Sequence, residues 1–136
     1  MVKETIPIIV ADDSPEFLEG LQVLLSTSAR YKLLESHKNG RDLIQSELLH
    51  DAKIIVTDIE MPHMNGIEAA KRINYRYPKI LMVAMTMYYD KVYLEEIVSA
   101  GFKAFIYKPE IASQLFDVLE QVQQNKFVFP DYLKIT

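Results

Sequence analysis

The sequence predicts an α/β protein built on a five-stranded parallel sheet with helices on both faces. Three observations carry this reading. Five short runs rich in Ile, Val, Leu, Met and Phe alternate with five segments of helical character, an alternation that closes through right-handed crossovers into a doubly wound sheet. Several of these runs are apolar at consecutive positions, as strands buried on both faces are. Four of them end on polar or charged residues: Asp12-Asp13, Asp58, Thr86 and Lys108. The carboxyl ends of the strands are where open α/β sheets gather their reactive groups.

Taken in order, Ile6-Pro7-Ile8-Ile9-Val10-Ala11 is the first strand, with Pro7 near its start or on a bulge. Ser14 caps a helix that begins at Pro15 and lines up Phe17, Leu18, Leu21, Leu24 and Leu25 on one face. A weaker strand covers residues 31–36, closed by Asn39-Gly40, and 41–49 reads as a short helix of mixed polarity. The third strand, 53–57, leads through Asp58 and Pro62 to Asn65-Gly66 and a helix over 66–76 that stops before Pro78. The run 80–86 is the fourth strand, and a helix over 90–100 ends at Gly101 in the C-cap position. Residues 103–108 form the fifth strand, and the spacing Leu115, Leu119, Val122 marks a last amphipathic helix to about 125. On that helix Gln114, Asp117, Gln121 and Gln124 should face outward, with Phe116 or Val118 lending an apolar contact.

The 136 residues fit one domain able to bury a core without staples. With 49% hydrophobic and 25% charged residues the composition is that of a globular protein. The chain has no cysteine, so disulfides and thiolate metal sites are excluded, and a net charge of −4 argues against direct nucleic-acid binding. Neither a signal-peptide pattern nor a membrane-length apolar run is present, and the expectation is a cytoplasmic protein.

Three carboxylates converging at one sheet edge repel one another by roughly 4 kcal/mol per pair at about 4 Å, so a cation is expected among them. With oxygen donors only, that ion is a hard one such as Mg²⁺. A strand-end carboxylate, a metal, the Lys108 ammonium and the Thr86 hydroxyl are the parts that phosphoryl transfer to an aspartate requires. Met61, Met64, Met82 and Met85 read as packing residues, and His37, His50 and His63 are scattered through different elements and carry no ligand role.

Over residues 6–125 the chain resembles the receiver domain of two-component response regulators. The resemblance rests on V-A-D-D-S-P, V-T-D-I-E-M-P-H-M-N-G, M-T-M and Y-K-P, in that family's order and spacing. It implies a flavodoxin-like (βα)5 fold with strand order 2-1-3-4-5, and a receiver over 1–125. Residues 126–136 would be a tail or the start of a linker to an output domain that these residues do not contain. By position, Asp58 matches the phosphoacceptor and Asp13 a direct Mg²⁺ ligand. Asp12 matches an acidic partner acting partly through water, and the backbone carbonyl of Glu60 the remaining protein ligand. Thr86 and Phe105 match the switch pair and Lys108 the phosphoryl-bridging lysine, and the Lys108-Pro109 bond is expected to be cis. Glu60, Met87 and Tyr88 would flank the path of a water attacking the phosphoryl group.

The function so implied is a signalling switch, phosphorylated by a sensor histidine kinase, that catalyses its own phosphorylation and dephosphorylation without being a dedicated enzyme. A phosphorylation-dependent homodimer is expected, with the last helix in its interface. The N-G after the second strand, the M-T-M and the V-F-P near the end are similar to the subfamily carrying a LuxR-type helix-turn-helix domain, so DNA would be bound only through that output domain. Pro109, where that subfamily commonly has an acidic residue, is a departure. The alternatives are a stand-alone receiver acting by protein–protein contact, or a small Mg²⁺-dependent phosphatase using Asp58-Ile59-Glu60. A nucleotide- or flavin-binding domain is disfavoured by the lack of a G-x-G-x-x-G or Walker loop.

Overall fold

The computed structural model describes residues 4–87 and 91–129, with only the backbone of 91 and 92. Strands β1 (Ile6–Ala11), β2 (Tyr31–His37), β3 (Ile54–Asp58), β4 (Leu81–Thr86) and β5 (Ala104–Tyr107) alternate with helices α1 (Pro15–Ser26), α2 (Gly40–Ile44), α3 (Gly66–Arg76), α4 (Lys91–Ser99) and α5 (Ile111–Gln123). All pairings are parallel and the order is β2-β1-β3-β4-β5, so the expected doubly wound sheet is present. Among the described residues no helix is long and apolar enough to cross a membrane.

The two-residue period of the strands splits the core in two. Ile9, Ile55 and Met82 point to the side of α2, α3 and α4, where Leu43, Ile73, Leu94 and Phe102 cover them. Ile8, Val10, Val56 and Val83 point to the other side, under Leu18, Leu21, Leu115 and Leu119 of α1 and α5. Pro7 is the second residue of β1, near the strand start where a sheet accepts proline; the register against β2 slips further on, between Ile8 and Ile9.

Caps explain the helix starts. Ser14 Oγ accepts from Phe17 N–H, Asn39 Oδ1 from Asp42 N–H and Asn65 Oδ1 from Glu68 N–H. Gly101 has φ 99° at the end of α4, the left-handed cap expected there.

Three details depart from expectation: the length of the second helix, the burial of Val118 and the Lys108-Pro109 bond. The second helix is five residues rather than the nine of 41–49. Beyond Gln45 the chain turns on Ser46, whose hydroxyl takes Leu48 N–H and itself bonds Glu35, and a single 3-10 turn (Leu49–Asp51) follows. Val118 is buried against the sheet, because α5 packs a stripe wide enough to include it beside Leu115, Leu119 and Val122. The Lys108-Pro109 bond is trans. Residues 108–110 form a 3-10 turn that runs straight into α5, where the fixed φ of proline suits an early helical position and its missing N–H leaves no bond unmade, so the ordinary trans preference prevails. Residues 127–129 return to the sheet: Val128 donates to Lys103 O and accepts from Phe105 N–H, bridging Ala104 in parallel. Asp90, the expected start of the fourth helix, and residues 130–136 of the tail lie outside the described residues.

Candidate active site and metal-binding cluster

The sheet itself assembles the site. β1 and β3 are neighbours with Ala11 opposite Thr57, so the next residues, Asp12 and Asp58, emerge side by side. β4 sets Met85 opposite Asp58, which brings Thr86 to the same edge, and β5 pairs Tyr107 with Thr86, so that Lys108 follows at the end of the row. Asp12, Asp13 and Asp58 each place a carboxylate oxygen within 4.8 Å of the others.

Each carboxylate stands in a different environment. Asp12 is fully buried; its Oδ1 accepts from Ser14 N–H at 2.8 Å and its Oδ2 is ion-paired to Lys108 Nζ at 2.6 Å. Asp13 is exposed at the mouth. Asp58 is 6% exposed, with Oδ2 3.4 Å from Lys108 Nζ and Oδ1 accepting from Glu60 N–H at 3.3 Å. Burial pushes the Asp58 carboxyl up to about 6; the Asp12 charge adds to this, while Lys108 and the Glu60 N–H act against it. Burial pulls Lys108 down, but Asp12 and Asp58 together outweigh it and leave the ammonium above the ordinary lysine value.

A cleft of about 470 Å³ opens over Asp58 between Asp13, Glu60, Thr86 and the half-exposed Met87. The donor set is all oxygen, three carboxylates gathered within 4.8 Å of one another, which fits a hard divalent ion. A separate, more apolar cavity of about 420 Å³ lies away from these groups between Ile44, Leu49, Ile73, Tyr75 and Tyr77; it has cations at its rim and no nucleophile.

The structure thus brings Asp12, Asp13, Asp58, Glu60, Thr86 and Lys108 together. Phe105 is not in the cleft: it is 5% exposed, within the core cluster that includes Leu94 and Ile97 of α4. Tyr88 lies outside the described residues. Two contacts were not foreseen. Phe17, counted with the apolar face of α1, puts its ring 4.4 Å from Lys108 Nζ, and Tyr93 of α4 donates its hydroxyl to Glu60 Oε1 at 3.2 Å. The only hint of the first was that Phe17 sits in the first turn after the acidic pair. Nothing local could signal the second, which spans 33 positions.

The chain belongs to the response regulator receiver domain family, whose model matches residues 8–120. It is 28% identical to the chemotaxis protein CheY of Thermotoga maritima over 117 residues, 86% of this chain and 97% of that one. With the transcriptional regulatory protein DegU of Brevibacillus brevis it shares 24% identity over 120 residues, 88% of this chain and 51% of DegU. The chain spans only 51% to 60% of the length of DegU and of three Bacillus subtilis transcriptional regulatory proteins that it matches. Its fold is that of the isolated receiver domain of RcsB from Salmonella enterica serovar Typhimurium, with TM-score 0.84 at 22% identity over 96% of this chain and 97% of that one. It is also that of a LuxR-family two-component response regulator from Aurantimonas, with TM-score 0.87 at 19% identity over 96% and 94%.

Proposed function

We propose that this receiver is a phosphorylation-activated switch in which a sensor histidine kinase supplies a phosphoryl group to Asp58. The observation that carries the reading is the placement of a buried strand-end carboxylate beside two further carboxylates and the Lys108 ammonium, under an open cleft. An Asp58 oxygen attacks phosphorus, the O–P bond forms as the P–N bond to the kinase imidazole breaks, and the imidazole keeps the electron pair and takes up a proton from solvent. Asp13, Asp58 and the Glu60 carbonyl would hold Mg²⁺ directly and Asp12 partly through water; when bound, the ion neutralises charge on the transferring group. Lys108 and the Thr86 hydroxyl then meet phosphoryl oxygens. The chain thereby catalyses its own modification and is not a dedicated enzyme.

With Mg²⁺ and acetyl phosphate the protein is expected to gain an acid-stable, base-labile label on Asp58, located by mass spectrometry. A label on a histidine or serine overturns the reading. Asp13→Ala is expected to weaken Mg²⁺ binding more than Asp12→Ala, because exposed Asp13 is free to meet the ion while Asp12 is engaged by Ser14 and Lys108. Titrations showing undiminished affinity in both variants would remove both from the ligand set.

The phosphoryl group adds about −1.5 to −2 of charge, and Thr86 and Phe105 are the pair proposed to respond. Phe105 is buried in the core beside α4. Transcriptional output in the cytoplasm through a LuxR-type DNA-binding domain is supported by the longer transcriptional regulators that the chain matches. A stand-alone receiver is the second reading, favoured by the match to nearly all of CheY.

RcsB has been seen as dimers on DNA. For this chain a phosphorylation-dependent homodimer through α5 is proposed, with the exposed Asp117 and Gln124 in its outer row and Gln121, bonded to Asp117, beside them. Reversing charge at Asp117 and placing Glu at Gln121 and Gln124 is expected to leave Asp58 labelling intact and abolish the dimer in sedimentation. A dimer that survives these changes uses another face.

A further inference from the structure

We infer that Phe17 is a positioning residue for Lys108, a face against which the ammonium is held while its carboxylate partners are taken up by other charges. The inference rests on the reading of Asp58 as phosphoacceptor. Lys108 Nζ has three neighbours of known distance: Asp12 Oδ2 at 2.6 Å, Asp58 Oδ2 at 3.4 Å and the centroid of the Phe17 ring at 4.4 Å. Two of the three are groups that a divalent ion would claim. As that ion binds, the attraction of both carboxylates for the ammonium falls, and lysine, a point charge on a flexible four-carbon stem, has little rigidity of its own to keep it in place.

The aromatic ring is different in kind. Its attraction for a cation comes from the ring quadrupole, which a metal ion in the cleft does not neutralise. The ring is also fixed: Phe17 lies in the first turn of α1, its N–H bonded to the Ser14 cap, and its side chain packs on the cluster that includes Leu18, Leu21 and Leu115. Ser14 in turn donates its N–H to Asp12 Oδ1. One short segment, residues 12–17, therefore sets both the buried carboxylate and the aromatic face between which the ammonium sits. The ring also covers the α1 side of Lys108, whose side chain is 11% exposed, so the ammonium keeps its place near Asp58 rather than turning into water.

The test separates this role from simple packing. At saturating Mg²⁺, Phe17→Leu and Phe17→Met, which keep an apolar side chain on the core, are expected to slow labelling of Asp58 by acetyl phosphate about five- to tenfold, whereas Phe17→Tyr stays within about twofold of the native rate. In a Lys108→Ala background Phe17→Leu is expected to have no further effect, because the two residues act through one contact. A native rate in Phe17→Leu overturns the proposal. So does a Tyr variant as slow as the Leu variant at matched thermal stability, or an equal loss with and without Lys108. If the native protein takes no label on Asp58 at all, the phosphoacceptor reading fails and this inference falls with it. That outcome is distinct from a labelled protein indifferent to Phe17.

Discussion

Asp58→Asn is expected to make the metal-free protein more stable at pH 8, by about 1–3 kcal/mol, and to lose that advantage as the pH falls from about 6 to about 4. The Asp58 carboxyl titrates near 6 in the folded chain against an ordinary value of 3.8. Between those values the folded form binds a proton that the unfolded form has released. Stability contributed by this group is therefore present at low pH, declines as the pH rises from about 4 to 6, and is fully lost above. Asparagine has no charge to bury and escapes the penalty. Mg²⁺ is expected to reverse the ranking, stabilising the native protein and not the variant, and to bind more weakly below pH 6 as protons compete for Asp58. Thermal melts across pH with and without Mg²⁺ check all of this. A variant no more stable than the native chain at pH 8 without metal would show that the carboxylate is not strained by its burial.

Gly66→Ala is expected to be more damaging than any surface change. A Cβ on Gly66 would stand 2.0 Å from the carbonyl oxygen of Asp58, and the Gly66 N–H is bonded to Ile59 O, so neither side can retreat without moving the β3–α3 loop. A loss of about 2–3 kcal/mol would lower the melting temperature by about 7–10 °C. Because the displaced backbone is that of Asp58, Mg²⁺ affinity should fall by about tenfold as well. Gly20→Ala supplies the contrast: it lies inside α1 with nothing within 4 Å of the new methyl group, so replacement should stabilise by up to about 1 kcal/mol. A Gly66→Ala melting temperature no lower than that of the native chain would mean that the close approach at Gly66 is tolerated by relaxation.

Much of this molecule is legible from its sequence because local signals agree with the fold. The α3 helix runs from Gly66 to Arg76 as expected, since Asn65 supplies a cap and Pro78 a stop. β1, β3 and β4 are found as apolar runs buried on both faces, and their last residues fall at one edge because parallel strands in this order leave no other place for them. What was not legible depends on partners far along the chain. The second helix ends early because Ser46 finds Glu35. Val118 turns inward because α5 meets the sheet over a broad face, and the Phe17 ring acquires a role only when β5 delivers Lys108 to it. The cis bond expected at Pro109 came from resemblance alone, with no local signal behind it.

The return of residues 127–129 to β5 bears on where this unit can be cut. β5 is the outermost strand on its side of the sheet, and the Lys103 carbonyl and Phe105 N–H on its free flank are met by Val128. Phe129 packs into the core from the same segment, and Phe127 stacks on Phe129 with the Lys103 ammonium 5.0 Å from its ring centroid. A fragment ending after α5 would keep every helix and every named strand yet expose an unpaired flank beside apolar surface, a template on which strands of other chains add. That flank is met by three residues, 127–129, that no strand pattern announces, and a fragment ending at 125 is expected to be less soluble than one that keeps them.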